Sequence, residues 1–153
     1  MASRRRAREF ALQALYAADI RDLGSSETLT HLWAEQIDTE ELTARPAEEE
    51  EIAFAQRIVR GVGSRRTDID GLIEAASLNW RLARMSVVDR NILRLASYEL
   101  LECTDIPASV SINEAVELAK RFGDKDSRSF INGILDRIAA DTGRGGRRHR
   151  RRR

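Results

Sequence analysis

Ile112–Asp136 reads INEAVELAKRFGDKDSRSFINGILD, two apolar stripes of helical period separated by a glycine and a short polar turn. Ile112, Ala115, Val116 and Ala119 recur three and four residues apart, the spacing of one buried helix face. Ser111 with Glu114 forms a capping box that predicts the start of this helix. Gly123 predicts its end as a C-terminal glycine stop. Asp126 or Ser127 then caps a second helix, which buries Phe130, Ile131, Ile134, Leu135 and Ile138 and stops at Gly143.

The same period runs upstream. Ser86 with Asp89 is a second capping box, weaker because Glu or Gln is preferred at its last position. It opens a helix with Val88, Ile92, Leu95, Ala96 and Tyr98–Leu100 on its inner face, and Asp105-Ile106-Pro107 is the turn that follows. At the N-terminus, residues 4–22 place Ala7, Phe10, Ala11, Ala14, Leu15 and Ala18 on one face, with Arg5, Arg8 and Tyr16 falling away from it. Gly24-Ser25-Ser26 breaks that helix and caps another, faced by Leu29, Leu32, Trp33 and Ile37. Residues 38–46 read as a loop, with Pro46 in the first turn of the next helix. Four acids, Glu48 to Glu51, complement the dipole of that helix start rather than a metal. Ile52, Ala55, Val59 and Val62 continue as core, and Gly61 and Gly63 mark a break before Ile69, Leu72, Ile73 and Ala76. Period-two alternation is absent over any useful length, so the fold class is all-α, a compact bundle of six or seven helices.

With 153 residues, 42% of them hydrophobic, the chain has material for one core and excludes disorder throughout. No run approaches the ~20 apolar residues of a membrane span. Acidic and polar residues behind the first arginines exclude a secretion signal, and the single Cys103 fits a reducing cytoplasm. Charge is unevenly placed. Residues 144–153, RGGRRHRRRR, hold seven arginines; without them 19 basic residues face 25 acidic ones, a net charge near −6. The tail is expected to be disordered, leaving residues 1–143 as the folded domain. A basic extension on an acidic body seeks a polyanion, and nucleic acid leads the candidates, a solubilising tail being the plainer reading.

Catalysis finds no support in the residues. His31 lies inside an amphipathic helix and His149 in the tail, neither paired with a nucleophile or a metal-ligand set. Gly61-Val62-Gly63 lacks the third glycine and preceding strand of a phosphate loop, and Cys103 beside Glu102 and Asp105 reads as a small core residue. Binding is better supported. Arginines in the first two turns form a ridge that tracks phosphates, and Tyr16, one or two turns on, is placed either to stack a base or to half-bury in the core.

Three blocks, RRRAREFALQALY (Arg4–Tyr16), VDRNILRLASYEL (Val88–Leu100) and Ile112–Asp136, in this order and spacing, resemble the NusB family of bacterial antitermination factors. The resemblance covers residues 4–139 and implies two packed helical subdomains and no catalysis, cofactor or metal. It implies binding to the boxA element of ribosomal RNA leader transcripts together with NusE, a small-subunit ribosomal protein. Other Nus factors and RNA polymerase complete the assembly. By resemblance the RNA contacts are Arg4, Arg5, Arg6, Arg8, Gln13, Tyr16, Asp126, Ser127 and Phe130, and Asp89 and Arg90 meet NusE. A homodimer is a further expectation, since family members differ in whether they dimerise. The alternative is a stand-alone NusB-like module acting in ribosomal RNA methylation or maturation. Gly24–Leu82 matches only in helical pattern, so no functional residue is carried over there.

The arginine tail lies outside the shared pattern and offers charge without a base-reading group. Its removal is therefore expected to flatten the salt dependence of RNA binding, by about 0.7 in the logarithmic slope for each phosphate no longer neutralised. The preference for boxA over a scrambled RNA should survive. Filter binding across a salt series checks this, and a preference that disappears with the tail contradicts it.

Overall fold

The computed structural model describes residues 2–21, 46–78 and 80–144. The helix expected around Leu29–Ile37, with His31, and the tail from residue 145 lie outside these residues. The chain divides into two compact units, Met1–Ser64 and Arg65–Arg153. Among the described residues there are six α-helices and no strand, which makes the fold all-α as the periodicity requires.

The first unit packs α1 (Arg4–Arg21) against α2 (Glu49–Ser64). Ala7, Phe10, Ala11, Ala14, Leu15 and Ala18 are buried on α1, as are Phe54, Ala55, Ile58, Val59 and Val62 on α2. The alanines at three- and four-residue spacing keep the α1 surface low. Both helix starts are tied by one carboxylate. Ser3 caps α1 by accepting from the Arg6 amide at 3.1 Å. Glu51, 1% exposed, accepts from the Ser3 amide at 2.8 Å and from the Glu48 amide at 3.0 Å. The Glu48 bond is the return half of a capping box, and the Arg6 guanidinium neutralises the buried charge at 3.3 Å. The acidic run is thus structural, as expected, with one of its four members doing far more than complementing a dipole. Pro46 precedes the helix rather than entering it, and its carbonyl accepts from Arg6 at 3.2 Å.

The second unit surrounds α4 (Val87–Glu102) with α3 (Arg66–Ala76), α5 (Ala108–Phe122) and α6 (Ser127–Asp141), and a 3-10 turn at Leu82–Arg84 leads into α4. The expected break after Gly63 falls at Ser64–Arg66. Asn91–Leu100 are all buried, so α4 has no solvent stripe over almost three turns. Its polar groups therefore need internal partners. Arg94 makes a two-pronged pair with Asp70 of α3, Nε to Oδ1 at 2.9 Å and Nη2 to Oδ2 at 3.2 Å. Glu99 accepts from the Ser111 hydroxyl of α5 at 2.9 Å. Asp89 accepts from the Ser127 hydroxyl of α6 at 2.7 Å.

Several expectations change here. The Ser86 cap forms, its hydroxyl accepting from the Asp89 amide at 3.0 Å. The Ser111–Glu114 box does not open α5: that helix starts at Ala108 after Pro107, and Ser111 is an interior residue turned onto Glu99. Asp126 occupies the cap position of α6 without a side-chain cap bond. Ser127 accepts from the Asp124 amide at 3.0 Å instead. Arg144, expected to be the first residue of a loose tail, packs: its guanidinium donates to the Leu100 and Ile106 carbonyls. A tail truncation therefore belongs after Arg144. Cys103 is fully buried at the end of α4, the core residue it was expected to be.

Gly123 does end α5, but with φ −93°, an ordinary backbone. Its need for glycine is one of space. A Cβ there would lie 2.5 Å from the Ser127 Oγ, 2.7 Å from its Cβ and 2.9 Å from the Ala119 carbonyl oxygen. Ser127 cannot step aside without releasing Asp89. Gly123→Ala is expected to destabilise the protein by about 1–3 kcal/mol, the usual cost of overpacking. Urea denaturation checks this, and an unchanged midpoint contradicts it.

Candidate nucleic-acid interface

The RNA-contact residues expected on α1 differ in how far they reach solvent. Arg5 and Tyr16 are exposed and Gln13 is half-buried, and the spacing 5, 13, 16 places all three on one helical face. Tyr16 is 39% exposed, so part of its ring reaches solvent while the rest is covered. Arg4 is exposed but turned toward α2, its guanidinium 4.5 Å from the Phe54 ring centroid.

Arg6 and Arg8 behave differently. Arg6 is half-buried on Glu51 and Pro46 and also lies over Phe10 at 5.2 Å. Arg8, expected to fall away from the apolar stripe, is 3% exposed with its guanidinium 5.4 Å from the Phe54 centroid. Its long aliphatic stem lets it join the core while its charge stays on an aromatic face. Arg8 thus contributes to the α1–α2 packing. The N-termini of both helices line a cleft of about 490 Å³ with Arg4, Glu50, Phe54 and Arg57 on its walls. Arg57 lines this cleft together with Arg4, 53 residues away in the chain, and that separation hides their proximity from sequence reasoning.

In the second unit, Asp126 is exposed at the start of α6. Phe130, placed in the core by its spacing with Ile134, is only half-buried. Its ring meets that of Trp80 at a centroid distance of 5.8 Å and an angle of 69°. Ser127, expected to touch RNA, is 1% exposed and spends its hydroxyl on Asp89. Asp89, expected to meet a partner protein, is 8% exposed. Both placements have one cause: short polar side chains at two converging helix starts hydrogen-bond to each other. Arg90 is half-buried and donates to the Leu82 carbonyl at 3.3 Å. Among the described residues no group of three His, Cys, Asp or Glu is placed to hold a metal ion, and no helix is long and apolar enough to cross a membrane.

A family model described as the NusB family matches residues 5–140. The chain is 49% identical over 137 residues to a transcription antitermination protein NusB of Anaeromyxobacter sp. (strain Fw109-5), covering 90% of each. It superposes on T. maritima NusB with a TM-score of 0.77 at 42% identity, over 91% of this chain and 92% of that one. It also matches a chain in a crystal structure of antitermination factors NusB and NusE in complex with double-stranded RNA. That TM-score is 0.76 at 25% identity, over 88% and 94% of the two chains.

Burial pushes the Asp89 carboxyl above its usual range, with the Asp124 charge adding to the rise and the bonds to Ser127 and Ser86 opposing it. The folded protein thus holds this proton more tightly than the unfolded chain does. The stabilisation it gives is full below the usual carboxylate range and falls as pH rises through the raised value. Asp89→Asn, which keeps an oxygen for Ser127 and cannot ionise, is expected to gain stability relative to the parent between acid and neutral pH. Paired urea curves across that range measure it, and a parent that gains on the variant contradicts it.

Proposed function

This chain belongs to the NusB family, and from that premise we propose a non-catalytic antitermination factor that binds boxA RNA of ribosomal leader transcripts together with NusE. The assembly, with other Nus factors, helps modify RNA polymerase against termination. The observation that carries the RNA-binding part is the exposed face of α1, where a cation, an amide and an aromatic ring follow one another at Arg5, Gln13 and Tyr16.

Each group has a distinct task. Arg4 and Arg5 hold phosphates, Gln13 offers an amide to a base edge, and Tyr16 stacks a base. In the second unit Phe130 offers a ring of its own, with Asp126 near it in the chain as an acceptor for base amino groups. Arg6, Arg8 and Ser127 are positioning residues that fix the helices from within. NusE meets the start of α4, where Arg90 is the accessible group and Asp89 holds the helix end in place. No bond is made or broken: the protein works by assembling RNA and partner, and its acidic remainder repels RNA from other faces.

Arg5→Glu is expected to weaken binding of a boxA RNA at least about tenfold and to lower the salt slope by about 0.7 or more, with folding intact. Tyr16→Ala should cost about 1–3 kcal/mol of affinity and leave the slope unchanged. NusE and RNA should tighten each other by the same factor, as linkage demands. Fluorescence anisotropy and calorimetry measure all three. Parent-like affinity in both variants moves the site elsewhere, and mutual indifference of NusE and RNA refutes the assembly mechanism.

A further inference from the structure

Trp80 is 53% exposed, although its own carbonyl and the nearby Leu82 amide are engaged by side chains. α3 ends shortly before Leu78, whose φ of 58° is the left-handed conformation that L-residues rarely adopt. The Ser77 hydroxyl sits 2.9 Å from the Trp80 carbonyl and 3.1 Å from that of Glu74, and donates its one proton between them. The Glu74 carboxylate accepts from the Leu82 amide at 3.0 Å, and the Leu82 carbonyl accepts from Arg90 at 3.3 Å. Three side chains, Glu74, Ser77 and Arg90, thus hold in place a backbone whose largest side chain is left half in water. A tryptophan with that much apolar surface is ordinarily covered, and here hydrogen bonds from Ser77, Glu74 and Arg90 hold the flanking backbone with the ring half in water.

The geometry of its one ring contact matters. In an edge-to-face pair one ring contributes its edge and the other a single face, so Trp80 and Phe130 each keep at least one face that the other does not cover. The segment also carries Arg81 and Arg84, both exposed, and Leu78–Met85 contains no carboxylate. A half-exposed tryptophan ring with exposed cations one and four residues along is complementary to a nucleotide, the base on the ring and the flanking phosphates on the guanidiniums.

We propose that Trp80 is a base-stacking residue, which with Phe130 forms a two-ring platform for single-stranded RNA and takes the adjoining phosphates on Arg81 and Arg84. This rests on the RNA-binding reading above and extends it to a segment for which the sequence named no functional residue. Arg90 gains a role with it, as the group that fixes the platform's backbone to α4.

The test uses the full chain in a Trp33→Phe background, which makes Trp80 the sole tryptophan, since the sequence holds two. A short single-stranded RNA carrying boxA, and a scrambled RNA of the same composition, are titrated with and without NusE. Trp80 emission is expected to be quenched in step with RNA occupancy measured independently by anisotropy of labelled RNA. Trp80→Ala should weaken RNA binding about tenfold with an unchanged salt slope, whereas Trp80→Phe should retain most of the affinity. Arg81→Gln with Arg84→Gln should lower the slope instead. RNA that binds the parent with no change in Trp80 emission, and equally well when Trp80 is alanine or phenylalanine, overturns the platform while leaving the RNA-binding reading intact. A Trp80→Ala protein that loses NusE and not RNA overturns it in favour of a protein-docking surface. A parent that binds neither RNA overturns the underlying functional reading and the platform together.

Discussion

A helix buried on every side leaves its polar groups dependent on partners inside the fold, and α4 is such a helix from Asn91 to Leu100, with the Ser97 hydroxyl left unpartnered. Its solution is distributive. Arg94 reaches α3 through Asp70, Glu99 reaches α5 through Ser111, and Asp89 reaches α6 through Ser127. Apolar packing alone would let neighbouring helices slide by a turn at modest cost. Three polar pairs at three heights fix the register, because a slip leaves a buried charge or hydroxyl without its partner. The second unit is organised around that requirement.

The same economy governs the first unit. Glu51 gathers the starts of α1 and α2, and Arg6 is the counter-charge that makes its burial tolerable. A run of arginines at a helix start therefore has two unlike jobs. Arg6 and Arg8 serve the fold, one on a carboxylate and one on the Phe54 ring, and Arg4 and Arg5 remain at the surface. Helical geometry turns adjacent residues by about 100°, so the arginines of RRRAR do not share one environment.

Rigidity is what the two arrangements share. Residues proposed to meet RNA are presented by helices α1 and α6 and by the segment between α3 and α4, whose Trp80 carbonyl and Leu82 amide are hydrogen-bonded to side chains. Asp89, Ser127 and Gly123 set where α6 begins, and with it the placing of Asp126 and Phe130. Ordering a binding surface before the ligand arrives spares the entropy that a loose loop would lose on binding. Aromatic rings held with an open face suit that strategy, because they gain contact area without having to choose among many rotamers.

The sequence by itself determined the helical class, the family and most of the core, because a period of 3.6 and a long specific motif are properties of neighbours in the chain. It also read the break near Gly63, the cap at Ser86 and the buried Cys103. Only the tertiary structure decided which polar residues are spent inside. Ser111 looks like a cap until Glu99 is seen beneath it, and Arg8 looks like surface until Phe54 covers it. Arg144 looks like tail until two carbonyls, 38 and 44 residues away, claim it. Those partners are distant along the chain, and a polar side chain carries no periodic signal of what it will meet across a fold. The exposure of Trp80 has the same origin, since hydrophobicity predicts burial and only the packed turn around Ser77 and Glu74 leaves that ring in water.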